Sequence, residues 1–437
     1  MAIEFWILLA IALGLTARSM RNLLTARFPS LIDFATLSTV YYSVPLAALG
    51  FLSINPRGLA FLHPAAADPG LALMSMRYAV LALLGMEGGR IIAGLRRTPL
   101  FVLSFRLNTG TETRAMLWFM VLFALFPLGV YFFGVAEFFS GYASEYYSPI
   151  ATLGNAIIYS SIEAFGFAIL LALILGERSG RVPLKMFIAV ALTILVFALA
   201  VRAKRLEVVS ALLPAGVLLA ASRDWLRKPA SRAALVGGGM LVLILVSVLR
   251  VSDSFSWFNL LYYTFTEGIY AGHSLPGIEE RLQTLTIGHE YGARFLTAGL
   301  AFVPRFLWEG KDALVYQGNL ALQGVSPLGA TSFLAEVVLQ GGMVAVVIVY
   351  GLLGFLFQRM MSFEPAWDRG VKAGIVPLRF GAYIVALVIF IPHWRDGIIP
   401  AVKLSAQSIV AFLLITGFHY QAGYRRKIES GTGSALP

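Results

Sequence analysis

The sequence predicts an all-α, polytopic integral membrane protein, a single domain over 1–437 with about eleven transmembrane helices. Three observations carry the prediction. Of its 437 residues, 58% are hydrophobic and only 13% are charged, where an average soluble domain has roughly 45–50% and about 25%. The apolar residues gather into eleven stretches near the length of a membrane span. Lys and Arg alternate between successive connections, as the positive-inside rule requires. This composition excludes disordered, fibrous, coiled-coil and disulfide-stapled classes, and a soluble enzyme could not hide so much apolar surface. With no cysteine in the chain, disulfides, thiolate metal sites and a cysteine nucleophile are excluded as well.

Hydropathy places the spans at 2–17, 31–54, 73–95, 115–135, 152–176, 184–201, 207–221, 233–250, 329–357, 373–391 and 400–418. The first carries Glu4 and lacks a basic leader and a small-residue cleavage site, so it reads as a retained helix. Six alternate connections hold three or four basic residues each: Arg18 to Arg27, Arg96 to Arg114, Arg178 to Lys185, Arg223 to Arg232, Arg359 to Lys372, and Arg425 to Lys427. Positive-inside puts them in the cytoplasm, with the N-terminus outside and the C-terminus inside. The opposite connection 136–151 has no Lys or Arg. The net charge of +11 reflects this asymmetry and calls for no nucleic-acid partner.

Some charges run against the rule. The outer turn between the sixth and seventh spans carries Arg202, Lys204 and Arg205. The one long outer loop, 251–328, holds Arg281, Arg294, Arg305 and Lys311. The last outer turn reads Pro392-His393-Trp394-Arg395-Asp396-Gly397. A long loop in a compact protein is functional or disordered, and this one is too apolar and aromatic for disorder. In it, Phe255, Phe258, Tyr262 and Phe265 fall on one helical face, which suits a helix in the headgroup layer or one packed on the bundle. A second helix is expected over 281–300, carrying His289 and Glu290 and ended by Pro304 before Arg305.

The candidate functional residues follow from these exceptions. Arg202, Lys204 and Arg205 repel one another unless an anion or the lipid headgroups neutralise them, and Arg forks match phosphate oxygens. Arg305, between Pro304 and aromatic residues, either completes a phosphate clamp or rests on Trp308. Glu336, near the outer end of the ninth span, must be paired or wet, as a general base or the holder of an Arg. His393 is a base candidate or an interface anchor, and Arg395 and Asp396 join it or pair with each other. Glu87 and Arg90, three apart, neutralise each other on one face. Glu163, inside the fifth span, reads as a bundle contact, and Arg379 as a snorkelling residue.

No Walker or kinase motif, Gly-x-Ser-x-Gly elbow, HExxH motif or Asp-x-Asp pair occurs. An outward cationic site without these points to a substrate whose phosphate already sits in the membrane.

The order of features resembles a known family. A short Lys/Arg turn (Arg202 to Arg205) is followed by a long outer loop ending in Pro304-Arg305. Then come Gly324-Val325-Ser326-Pro327, Ser332-Phe333-Leu334-Ala335-Glu336 and Gly341-Gly342. Over roughly 200–345 this resembles the Wzy-type O-antigen and exopolysaccharide repeat-unit polymerases of bacteria. The resemblance implies a membrane-embedded glycosyltransferase (GT-C-like) fold without cofactor or obligatory metal. The donor would be a polyprenyl-pyrophosphate-linked oligosaccharide and the acceptor the terminal sugar of a lipid-linked repeat unit. A chain-length regulator protein and membrane lipids would be its partners. Arg202, Lys204, Arg205, Arg305 and Arg395 would bind the pyrophosphate. Glu336, or failing that His289, Glu290, His393 or Asp396, would orient or deprotonate the acceptor. The histidine that related O-antigen ligases carry before the glycine segment is absent from Gly329-Ala330-Thr331-Ser332, which favours polymerase over ligase. A flippase for the same lipid-linked glycan is the reading from another class. Transporters often show two related halves, and this chain has no such repeat.

Overall fold

The computed structural model describes residues 1–54, 63–95, 104–106, 109–139, 257–301, 331–366, 375–416 and 420–421, with scattered positions between 213 and 241 and between 303 and 325. Five helical stretches there are long and apolar enough to cross a membrane: Ala2–Thr25, Leu31–Phe51, Pro69–Leu95, Phe333–Glu364 and Leu378–Arg395. The protein is a helical membrane protein. The expected span 115–135 overlaps a helix over Thr109–Phe133, and 400–418 overlaps one over Ile398–Thr416. The expected spans at 152–176, 184–201, 207–221 and 233–250 lie, but for a few positions, outside the described residues.

Contacts divide the chain into two compact units. The first comprises Met1–Arg97, Trp257–Arg359 and Ile389–Ala406. Its frame is α1 (Ala2–Thr25), α2 (Leu31–Phe51) and α3 (Pro69–Leu95). The first helix runs past Arg18, beyond the expected end at 17, because Arg18 is neutralised by Glu87 of α3, which also takes Arg90 at 2.6 Å. Glu4 pairs with Arg77 nearer the other end, so α1 and α3 run in the same direction. Ser30 caps α2 by accepting from the Asp33 N–H. Asp33 itself is buried and accepts from Ser19 Oγ at 2.9 Å and Asn22 Nδ2 at 3.2 Å, so its charge is not left bare at the helix junction.

Three helices of the long loop belong to this unit, numbered after the second unit's α4 (Thr109–Phe133) and α5 (Val135–Phe139). They are α6 (Trp257–Gly272), α7 (Ser274–Gln283) and α8 (Ala293–Leu300). The aromatic face lies on α6 apart from Phe255, which is outside the described residues. This helix is seated on α2: a Cβ on Gly268 would meet the Tyr41 carbonyl at 2.2 Å, so of the two expected settings α6 takes bundle packing. From Ser274 to Glu279, α7 is buried. The expected helix over 281–300 is corrected to two helices with a non-helical link. Leu285 (φ 55°), Tyr291 (φ 46°) and Gly292 (φ 92°) turn the backbone out of the helix, and His289 and Glu290 sit in that link.

Helix α9 (Phe333–Met360) completes the unit, broken at Gly341-Gly342. Every residue from Phe333 to Gln340 is buried. After the break, Val344, Ile348, Leu352 and Leu356 are exposed at every fourth position, the stripe of a lipid-facing helix. Glycines let α9 approach α3: a Cβ on Gly354 would lie 2.1 Å from the Met86 carbonyl, and one on Gly89 would lie 2.0 Å from that of Gly351.

The second unit comprises Thr98–Ser256, Met360–Val388 and Gln407–Pro437. Besides α4 and α5 it holds α10 (Leu378–Val385) and most of α11 (Ile398–Thr416). It adds to the all-helical expectation a small antiparallel sheet in the order β2-β1-β3: β1 (Ser104–Arg106), β2 (Ile375–Pro377) and β3 (Tyr420–Gln421). Ser104 pairs with Pro377 and with Gln421. Strands β1 and β3 fall in connections that charge alternation assigned to one face, whereas β2 falls at the start of the expected tenth span 373–391, so the helix there begins later, at Leu378.

Candidate functional site

The N-terminal part of α9 brings Glu336 to the site. Ser332 caps it, its Oγ accepting from the Ala335 N–H at 3.3 Å and lying 3.1 Å from Ser274 Oγ of α7. One turn on, Glu336 points inward, only 3% exposed. Its Oε1 accepts from Arg294 Nη1 at 3.0 Å, and its Oε2 from the Ile398 N–H at 2.5 Å. Arg294, likewise buried, forks onto Glu290 through Nε at 3.1 Å and Nη2 at 3.3 Å. Gln340 Nε2 donates to Glu290 Oε2 at 2.9 Å, while its Oε1 accepts from the Gly292 N–H at 3.0 Å. One guanidinium thus holds a carboxylate from α9 and one from the link between α7 and α8. Burial works against the Arg294 charge, but Glu336 and Glu290 outweigh it and raise its pKa above the ordinary arginine value.

The helix break gives this network one wall. Gly341-Gly342 frees the last turn of the buried segment, and the Leu339 carbonyl there accepts the Glu290 N–H at 3.0 Å. The same carbonyl lies 3.2 Å from His289 Nδ1. A carbonyl only accepts, so Nδ1 is the donor of this bond, and in the neutral ring Nε2 is the nitrogen left to accept a proton. A Cβ on Gly342 would come 3.7 Å from the His289 ring. At 1.5 Å per residue, the stretch from Met343 to Met360 spans about 27 Å, close to the roughly 30 Å of a hydrocarbon core. The apolar stretch after the break is thus long enough to cross a bilayer by itself, and the charged cluster stands beside its first residues.

The turn before α11 forms the second half of the site. Trp394 is buried, stacked on Phe333 at 5.0 Å and edge-on to Tyr350 at 5.7 Å. This fixes Pro392–Arg395 against α9 and delivers Gly397 and Ile398 to Glu336. Arg395 donates to Glu267 of α6 at 2.9 Å and to Asp396 at 2.8 Å. His393 Nδ1 lies 2.7 Å from the Ile389 carbonyl, which fixes its tautomer as for His289.

The structure therefore brings together Glu336, His289 and Glu290, and places His393, Arg395 and Asp396 on the adjoining turn. The pairing of Arg395 with Asp396 is present, and Glu267 joins it, so two carboxylates occupy the guanidinium expected to bind pyrophosphate. Arg202, Lys204, Arg205 and Arg305, and Glu163 as well, lie outside the described residues. Among the described residues no group of three His, Asp or Glu side chains is arranged to hold a metal. Sequence reasoning missed Arg294 as the centre of the network, along with Glu267, Gln340 and Gly397. The spacing of Glu290 and Arg294, four apart, was the available signal for the first. No protein-family model, no curated protein and no solved structure matches the chain.

Proposed function

We propose that the protein is a membrane glycan polymerase at the periplasmic face of the bacterial inner membrane, transferring a growing chain from polyprenyl pyrophosphate onto the terminal sugar of a lipid-linked repeat unit. The observation that carries this reading is the meeting of His289, Glu290, Arg294 and Glu336 at the Gly341-Gly342 break, beside an apolar stretch long enough to cross the membrane. A lipid-linked sugar presents its reacting carbon beside the membrane. The order of sequence features from Arg202 to Gly342 supports the same reading.

The acceptor hydroxyl attacks the anomeric carbon of the donor, the bond from that carbon to the pyrophosphate oxygen breaks, and polyprenyl pyrophosphate leaves. His289 Nε2 takes the hydroxyl proton. Glu336 is too enclosed to meet a sugar and serves by holding Arg294 in place. Arg202, Lys204, Arg205 and Arg305 bind the pyrophosphate and stabilise its developing charge. Arg395 is left to the turn, with His393 and Asp396 beside it. No cofactor enters the reaction, and a chain-length regulator protein would act on the same complex.

The test is reconstitution of purified protein with a defined polyprenyl-pyrophosphate oligosaccharide, without nucleotide sugar or divalent metal. A ladder spaced by one repeat unit is expected. A ligase-type transferase would instead move the glycan only to a different acceptor, such as lipid A core. The break in α9 also favours a second reading, a flippase, because transporters use discontinuous helices. They place the discontinuity near the midplane, whereas here the 18 residues after the break, Met343–Met360, are by themselves long enough to cross, at about 27 Å. Unchanged substrate delivered to the opposite leaflet would establish transport and overturn the polymerase.

A further inference from the structure

Three side chains beside the helix break face away from the protein although they are large and apolar. Leu285 is 88% exposed, Tyr291 82% and Leu296 76%. The first two hold positive φ (55° and 46°), a conformation that residues with a side chain rarely adopt. That conformation turns Leu285 and Tyr291 outward while the intervening His289 and Glu290 bond inward to α9. Helix α8 continues the pattern. Arg294 and Ala298 are buried on one side, and Leu296 and Leu300 are exposed on the other.

Water is a poor partner for such a ridge, which would add apolar surface to a chain that already has an excess of it. Its position names a better one. His289 touches the break at Gly342, and the lipid-facing stripe of α9 begins two residues later at Val344. The ridge is therefore continuous with membrane-facing surface, at the edge of the hydrocarbon layer. An apolar helix face and an outward tyrosine suit this boundary, where aromatic rings with a polar end gather.

We propose that the ridge formed by Leu285, Tyr291 and Leu296 is embedded in the interfacial layer of the bilayer, with lipid as its partner. It anchors the link between α7 and α8 from outside while Arg294 anchors it from inside. The arrangement fixes the depth of His289 and Glu290 relative to the headgroups. This inference does not depend on the glycan reading, because any membrane protein with this surface would make the same contact.

The chain has no cysteine, so single-cysteine variants carry a label at one place only. Leu285→Cys, Leu296→Cys and, as the lipid-facing reference, Ile348→Cys are labelled with a nitroxide in the full-length protein in phosphatidylcholine–phosphatidylglycerol vesicles. Collision with oxygen, which partitions into lipid, is compared with collision with a water-soluble nickel chelate. The expected result is that oxygen prevails at Leu285→Cys and Leu296→Cys, as at Ile348→Cys, but nearer the headgroups. Preference for the nickel chelate would overturn the proposal by placing the ridge in water. Spin–spin broadening between labels would also overturn it, by showing that a second copy covers the ridge. All three positions are exposed, so the labels displace no packed side chain, and the readout requires no activity.

Discussion

Gly397 presses directly against Glu336: a Cβ at that glycine would lie 2.6 Å from Glu336 Oε1. The φ of 95° at Gly397 is also one that other residues resist. Together these let the chain turn tightly enough for the Ile398 N–H to reach the carboxylate. Gly397→Ala is expected to lower stability by about 1–3 kcal/mol from the backbone strain, read as a fall in melting temperature in detergent. Combined with Glu336→Ala, its cost should be less than additive, because the smaller side chain relieves the contact. Full additivity would show that the contact carries none of the effect.

The Arg294 fork sets a second expectation. Removing one partner of a buried ion pair costs about 3–5 kcal/mol, so Glu336→Ala should destabilise strongly and Glu336→Gln, which keeps the shape, less so. Arg294→Lys should behave more like a deletion than a conservative change, since one ammonium cannot match the fork that holds Glu290 while reaching Glu336. Melting curves of the three variants check the order.

Arg395 offers a test between holding a turn and binding phosphate. If its work is to join Glu267 and Asp396 across α6 and the Pro392–Arg395 turn, Glu267→Ala should impair folding about as much as Arg395→Ala. A phosphate-binding Arg395 would give a different result: Glu267→Ala would spare stability while Arg395→Ala raised KM for the lipid-linked donor.

The close approach of α3 and α9 yields a packing prediction. Gly354→Val would drive two methyl groups towards the Met86 carbonyl, where even a Cβ has only 2.1 Å. Overpacking costs about 1–3 kcal/mol, so the variant should melt earlier and be cleaved sooner by protease. Gly94→Val, with open space around its Cβ position, is the control expected to change little.

The sequence made some of these features legible and hid others for physical reasons. Glu336 was visible because a carboxylate in an apolar stretch needs a partner, and Glu87 with Arg90 because their spacing makes them neighbours on one helix. Arg294 was counted only as a loop charge, since nothing local to residue 294 announces a carboxylate 42 positions away on α9. The link at 284–292 escaped the helix prediction because two of its turning residues, Leu285 and Tyr291, are of kinds that ordinarily avoid positive φ. Gly397 read as a turn residue, but its contact with Glu336 depends on Trp394 being buried against Phe333 and Tyr350. The β1–β3 sheet was missed because strands of two or three residues leave no periodicity.

The polymerase reading puts the reaction centre at the helix break, with His289 as its base. The most direct measurement is the chain-extension rate of His289→Ala beside that of the wild type, in vesicles holding polyprenyl-pyrophosphate oligosaccharide and at matched melting temperature. A general base contributes roughly 10²–10⁴-fold, so the variant should be slower by that factor with the spacing of any residual ladder unchanged. Extension by His289→Ala at the wild-type rate would contradict the account and move the chemistry away from the break.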